Sequence, residues 1–369
     1  MKFITIIGLS IFSVFYSCNI KEEKPASDLI EIDLSNPTIR PILLSDIADS
    51  IQYIPLETKK EAYISFISSI FHQKQKFIIK QGGEVLIFDD DGTFRKKLFN
   101  EGRGPTESFA RTITLDEIND IIYLYDNFSH NIKKYNSIGD YLGYLKDPYD
   151  QYYLSTNDLG FFNGSLLFTF QVNPIKKTFF SSWNIASLKE VYSYENKYDF
   201  NFSKPIRMSD YNMVQSQNLG ELLYFKEQFN DTIFSTKDFK SIKPSYVINL
   251  GSSKLSYLEY MGMCCLITPP PENKSRIGGF LISNNFILFI YEYNLTNYLG
   301  YYNFITGLYV RSEKFEIIND IDYGPNINVF NMKMRIQGSR LFVPVEAINF
   351  LDNLENPKFH CNNLSKDFN

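Results

Sequence analysis

Apolar positions along this chain fall in short runs of strand length, and none of them keeps a helical spacing for long. Phe77–Ile79, Ile121–Tyr125, Ser165–Phe170 and Phe286–Tyr291 are apolar or alternating, and Asn163-Gly164 and Asn284-Asn285 supply turns before two of them. One pattern repeats. Val85, Phe88, Asp89, Gly92 and Phe94 match Ile132, Tyr135, Asn136, Gly139 and Tyr141 in type and spacing, at an offset of 47 residues. Weaker echoes follow at Trp183-Asn184, Ile233-Phe234 and Tyr302-Asn303, each a strand end running into a polar turn. A period of about 47–50 residues with about four strands per unit is the mark of a β-propeller. The pattern predicts an all-β, six-bladed propeller of four-stranded antiparallel blades over residues 30–355. Its sixth blade pairs C-terminal strands around Arg340–Val345 with an N-terminal strand such as Gln52–Leu56, closing the ring and removing its edges.

The start of the chain reads differently. Phe3–Val14 is apolar but shorter than the roughly 20 residues a membrane span needs. It has the length of a signal-peptide core, ends at Ser17-Cys18, and gives way at once to polar residues. This resembles a bacterial lipoprotein signal, with Phe15 and Tyr16 departing from the commonest form. The resemblance implies a signal peptide over 1–17, lipid on Cys18, and a polar tether over 18–29. An ordinary secretory signal with a chance cysteine is the alternative. Lys21-Glu22-Glu23 resembles the acidic export signal of Bacteroidota surface lipoproteins, and reads equally as a solvated charged tether.

Composition narrows the chemistry. Aromatics make up 16% of the chain, with 33 Phe and 26 Tyr but 1 Trp, which suits pleated sheets and offers little for sugar stacking. A net charge of −5 argues against a nucleic-acid partner. Three His and four Cys are too few for a His-built metal centre or a disulfide scaffold, and no C-x-x-C pair exists. A bridge from Cys361 to Cys264 or Cys265 stays open.

Four further segments carry a family resemblance: Tyr53–Thr58, Gly102–Phe109, Asn230–Phe234 with Lys243–Gly251, and Asn319–Pro325. They are similar to the opening strand, the G-x-G-P-x-E turn, the D-T-[IV]-[YF] segment and the late N-D-[IL]-D-x-G turn of the six-bladed β-propeller lipoproteins of Bacteroidota. The second match has an extra residue between Glu107 and Phe109. The resemblance implies a fold and a location, and no particular reaction.

Candidate chemistry is sparse. Gly102-Arg103-Gly104-Pro105 lacks the ending of a phosphate loop and reads as the connection from the first complete blade to the next. Arg103 and Glu107 are then expected at the mouth of the central channel, as an ion pair between blades or as ligand contacts. Asp320 and Asp322, with Tyr323 beside them, are placed at the same mouth, and two carboxylates on one side suit Ca²⁺. Asp89-Asp90-Asp91-Gly92 reads as the repeat's own hairpin turn. His72 reads as solvent-facing in the turn His72–Lys76, His360 lies in the tail, and His130 beside Asp126 and Ser129 lacks the nucleophile elbow of a triad. Pro269-Pro270-Pro271 reads as a projecting loop, and residues 356–369 as a polar tail. These features point to a binding or scaffold lipoprotein on the cell-surface or periplasmic side of the outer membrane, with an unidentified ligand or partner and no cofactor. The alternative is a calcium-dependent lyase or hydrolase working through channel carboxylates.

Overall fold

The computed structural model describes residues 29–147, 156–170, 178–195, 214–227, 229–256, 259, 272–329, 334–354 and 356–359. The expected signal peptide, Cys18, Cys264, Cys265, Pro269–Pro271, His360 and Cys361 lie outside these. Three short strands come first: β1 (Ile30–Asp33), β2 (Thr38–Ile39) and β3 (Ile42–Leu43). The first blade is β4 (Ser69–Gln73), β5 (Lys76–Gln81), β6 (Glu84–Asp89) and β7 (Phe94–Lys97). The second is β8 (Ala110–Asp116), β9 (Ile121–Asp126), β10 (Ile132–Tyr135) and β11 (Tyr141–Leu145). The third is β12 (Thr156–Phe162), β13 (Ser165–Phe170), β14 (Thr178–Asn184) and β15 (Lys189–Glu195). The fourth holds β16 (Val214–Leu219), β17 (Leu222–Glu227), β18 (Thr232–Thr236) and β19 (Ile242–Asn249). The fifth holds β20 (Ser275–Ile282), β21 (Phe286–Tyr293), β22 (Thr296–Asn303) and β23 (Tyr309–Ser312). A small sheet of β24 (Glu316–Ile318) and β25 (Ile327–Asn328) precedes the sixth blade's inner hairpin, β26 (Arg335–Gln337) and β27 (Arg340–Phe342). Helix α1 (Ala347–Leu354) follows. The six-bladed propeller is the fold that the 47-residue offset predicts.

The repeat has a structural meaning. Phe88, Tyr135, Trp183 and Phe234 all lie on the third strand of their blades, each just past a register shift against the outermost strand. The extra residue bends the outer strand and sends the ring into the packing between blades. Phe88 and Tyr135 are fully buried, in the clusters on either side of the first blade. Gly92 shows why the following turn needs glycine. Its φ is +85°, and a Cβ there would sit 1.9 Å from the carbonyl oxygen of Pro55.

The ring closes at β26, which touches the innermost strands on both sides, β20 and β4. Between blades, side-chain amides replace the missing backbone ladder. Gln215 donates to Phe280 O (3.1 Å) and accepts from Phe280 N (2.9 Å), and Gln217 does the same to Ile282 at 2.6 and 2.9 Å. Gln337 grips His72 in the same manner, at 2.6 and 3.1 Å. Each amide presents one donor and one acceptor, as a strand residue would.

Residues 30–57 run around the outside of the ring as a belt. β1 adds in parallel to β19, β2 to β23 and β3 to β24, so the fourth and fifth blades have five strands instead of the expected four. Ile54 and Leu56 then pack with Phe342 of the sixth blade against the buried face of the first, and Glu57 N donates to Gly92 O (2.9 Å). The strand expected at Gln52–Leu56 does not form: the segment packs by its side chains, and Arg340–Phe342 pairs with Arg335–Gln337 instead.

Candidate binding face

Strand direction sorts the turns onto two faces. The turns between first and second strands and between third and fourth strands share one end of every blade. The opposite end carries the turns between second and third strands and the connections from one blade to the next. Two of the five channel-mouth candidates lie on such a connection. Arg103 and Glu107 sit between β7 and β8, whereas Asp320, Asp322 and Tyr323 lie in the turn between the paired strands β24 and β25.

Glu107 is turned into its own loop. Gly104 N–H donates to its carboxylate (2.9 Å), and Glu107 N–H returns a bond to Gly104 O (3.1 Å). The carboxylate lies so close to Gly102 that a Cβ there would meet Oε2 at 2.0 Å, which explains the first glycine of the motif. The loop is tied down by Lys133, whose ammonium donates to Glu107 O and pairs with Asp126 at 3.2 Å, both side chains buried. Burial pushes the Asp126 carboxyl up. Hydrogen bonds from Phe109 N (2.9 Å) and Ser129 Oγ (2.6 Å), with the Lys133 charge, outweigh it and hold the group below its ordinary range. Asp126 and Ser129, near His130 in sequence, therefore anchor a loop. No ion pair joins Arg103 to Glu107 among the described residues. Arg103 is exposed, with its guanidinium 5.5 Å from the centre of the Phe128 ring, which in turn lies 5.6 Å from Phe109. A cation held over one ring of an aromatic pair is the exposed product of the motif.

Asp320 and Asp322 hold the belt. Ser45 donates to Asp320 through its N–H (2.9 Å) and its hydroxyl (2.6 Å). Burial raises the Asp320 carboxyl, but these bonds more than compensate and leave it lowered. Asp322 accepts from Tyr53 Oη (3.2 Å), Asn319 Nδ2 (2.7 Å) and Gly324 N (3.0 Å). Tyr323 is exposed, with Lys358 5.9 Å from its ring centre. The structure brings Asp320, Asp322 and Tyr323 together in the β24–β25 turn and Arg103 and Glu107 on a blade connection, with no hydrogen bond or ion pair between the groups among the described residues. No group of three or more His, Cys, Asp or Glu side chains there is placed to hold a metal ion. His72, expected in a turn facing solvent, lies on β4 with its ring half-buried against Phe77 and Phe342, and it bonds Asp90 at 2.5 Å.

One buried cation on the same face is absent from the sequence-level candidates. Lys226 is fully enclosed at the end of β17, donating to Glu227 O (2.8 Å) and to Ile277 O (2.9 Å) of the next blade's inner strand. Burial pulls its ammonium down to about 7, against the pull of Glu227. Lys80 sits at the matching position of the first blade, one residue before the end of its second strand, and also donates to a carbonyl, Gly82 O (2.6 Å). A lysine on a strand otherwise buried on both faces is the signal that marks both.

The sequence model of a family described as a domain of unknown function (DUF4934) matches residues 28–367. No curated protein matches the chain. Among solved structures, a candidate exported protein of Bacteroides fragilis is 14% identical, covering 77% of this chain and 79% of that one, with a TM-score of 0.58. A member of the DUF4221 family from Bacteroides vulgatus is also 14% identical, covering 85% and 95%, with a TM-score of 0.48. Virginiamycin B lyase from Staphylococcus aureus is 16% identical, covering 64% and 65%, with a TM-score of 0.36. At these identities the first likeness shows a shared fold alone, and the other two carry no argument. No helix among the described residues is long and apolar enough to cross a membrane.

Proposed function

We propose that this chain, which belongs to the DUF4934 family, is a binding or scaffold lipoprotein of the outer membrane. Lipid on Cys18 anchors it, and the connection face of its propeller holds an extracellular or periplasmic ligand or partner. The observation that carries this reading is how the candidate polar groups are used. The carboxylates of Glu107, Asp320 and Asp322 are taken up by the loop and the belt, while Arg103 over Phe128 faces outward. An exposed guanidinium over the Phe128 ring suits a planar or anionic group, such as a carboxylate on a peptide or glycan. A calcium-dependent reaction has no such support, since a cation needs six to eight oxygens converging on one point.

Two measurements test the reading. A photo-crosslinking residue at exposed Thr106, beside Arg103, is expected to give discrete adducts in intact cells that disappear in Arg103→Glu. Adducts indifferent to Arg103 would refute the site. Labelled palmitate is expected to enter the chain and to be lost in Cys18→Ala. Incorporation that survives this change would refute the anchor.

A further inference from the structure

Two faces of one disc cannot both meet the membrane, and the direction of one strand chooses between them. β1 runs parallel to β19, which leaves the turn Lys237–Ser241 and ends at the connection face. β1 therefore also points toward the connection face, and the chain before Ile30 approaches from the turn face. Only 11 residues separate Cys18 from Ile30. Fully extended, they span at most about 36–40 Å. A bilayer on the connection face would make this tether double back along a blade whose outer strand is itself about 27 Å long.

The turn face also carries side chains that a solvated turn does not need. Ile118, between β8 and β9, is 91% exposed, and Ile305, between β22 and β23, is 76% exposed. Leu188 and Ile138 stand at the third turns of the third and second blades, also exposed. Turn tips are ordinarily Gly, Asn, Asp or Ser, each for a backbone reason that Ile and Leu do not share. Leu188 occupies positive φ (+51°), a conformation that costs a residue of its size. Exposed apolar groups lie on the connection face too, among them Leu295 between β21 and β22, so hydrophobicity alone does not decide orientation. Strand direction does, because only the turn face is reached without running back along β19.

We infer that the turn face rests on the bilayer, with Ile118, Ile138, Leu188 and Ile305 entering the lipid interface, while the connection face with Arg103 points away. This rests on the reading that Cys18 carries lipid. Aliphatic groups on a surface already anchored by acyl chains add contact without any new diffusional step, because the anchor sets their local concentration.

The test uses the acylated full chain in phosphatidylcholine vesicles, with the native tryptophan removed as Trp183→Phe. A single new tryptophan is placed by Ile118→Trp, Ile305→Trp or Leu295→Trp, all at exposed tips. Brominated phosphatidylcholine is expected to quench the first two several-fold more than the third. Equal quenching at all three sites, or stronger quenching at Leu295→Trp, would overturn the orientation while leaving the anchor intact. So would vesicles that float the protein without quenching Ile118→Trp or Ile305→Trp, the result expected if the turn face docks a protein instead. Protein that fails to float overturns the anchor, and the orientation falls with it.

Discussion

The outer rim of this propeller has a belted half and a bare half. In the fourth and fifth blades the outermost strand of the meander is covered by β1 or β2, and beyond them β3 covers β24. In the first three blades the outermost strands, β7, β11 and β15, have no further strand beside them among the described residues. The side chains follow the difference. β7 reads Phe-Arg-Lys-Lys, and β15 begins Lys-Glu and ends in Glu, which are the charges that keep an open edge from pairing with other chains. The strands under the belt carry Tyr246, Ile248 and Val310 instead, with Ile248 and Val310 fully buried. An edge that will be covered is built as interior. β11, Tyr-Leu-Gly-Tyr-Leu, is the exception, protected by a register shift and the positive φ of Gly143 in place of charge.

Breaking the belt is the strongest test of this contrast. Ile32 and Ile42 are both fully buried, on belt strands that cover different sheets. Ile32→Ala with Ile42→Ala should therefore add, lowering unfolding free energy by about 4–10 kcal/mol in urea titration. A loss below about 1 kcal/mol, the scale of a surface change, would show the belt to be ornamental. In the bare half the largest expected loss lies at a buried ion pair instead. Lys133→Ala leaves Asp126 enclosed without its cation and should cost about 3–5 kcal/mol. Lys133→Ala with Asp126→Asn should recover part of that loss.

Asp320→Ala removes two bonds to Ser45 and should cost about 1–3 kcal/mol by the same titration. Calcium is expected to leave the melting temperature unchanged in both forms, because a ligand stabilises only by binding the folded state. A calcium-dependent rise that Asp320→Ala abolishes would restore the metal-dependent reading.

The response to alkali has its rising limb in the belted half, while its falling limb draws on both halves, since burial also raises Tyr123 and Tyr135 of the second blade. The Lys226 ammonium is lowered to about 7 in the folded protein, from an ordinary 10.5. Between these values the unfolded chain binds the extra proton, so stability should rise as pH climbs from about 7 toward 10. Tyr246 and Tyr309 shift the other way, raised chiefly by burial. They stay protonated after the unfolded chain has begun to ionise, so stability should fall above about pH 10. Lys226→Met should flatten the rising limb in melts followed across that range and leave the falling one. The smallest effect is expected at the bare edge, where Tyr144→Lys should change stability by no more than about 0.5 kcal/mol.

Much of the fold is legible in the sequence because its repeat is local. The third-strand aromatic, the register shift and the glycine turn lie within ten residues, so Phe88 and Tyr135 announce themselves together. The belt is not legible in that way. Ile30–Asp33 is four residues long, and its partners are Tyr246–Asn249. Nothing near Ile30 indicates pairing at such a distance. The candidate site divides on the same line. Arg103 and its glycines stand out as a motif, but the Phe128 ring beneath the guanidinium comes from a separate turn. Asp320 and Asp322 look like solvent-facing carboxylates until the belt brings Ser45 and Tyr53 to them. Gln215 and Gln217 pass as ordinary polar strand residues, because their partners are backbone groups of the next blade.

The belt also sets a timetable. Ser45 meets Asp320 across 275 residues of sequence, and Tyr53 meets Asp322 across 269. A chain made from its N-terminus at about 5–20 residues per second spends tens of seconds with the belt finished and its partners not yet synthesised. Through that interval Ile32 and Ile42 have no native burial place, and the isoleucine-rich segment is a hazard to itself and its neighbours. The first blades, made of consecutive strands, can form without it. The last act of maturation is then the winding of the oldest segment around the newest blades, and contacts of such high sequence separation are slow to form. Until that happens, the ring closed at β26 lacks its outer cover.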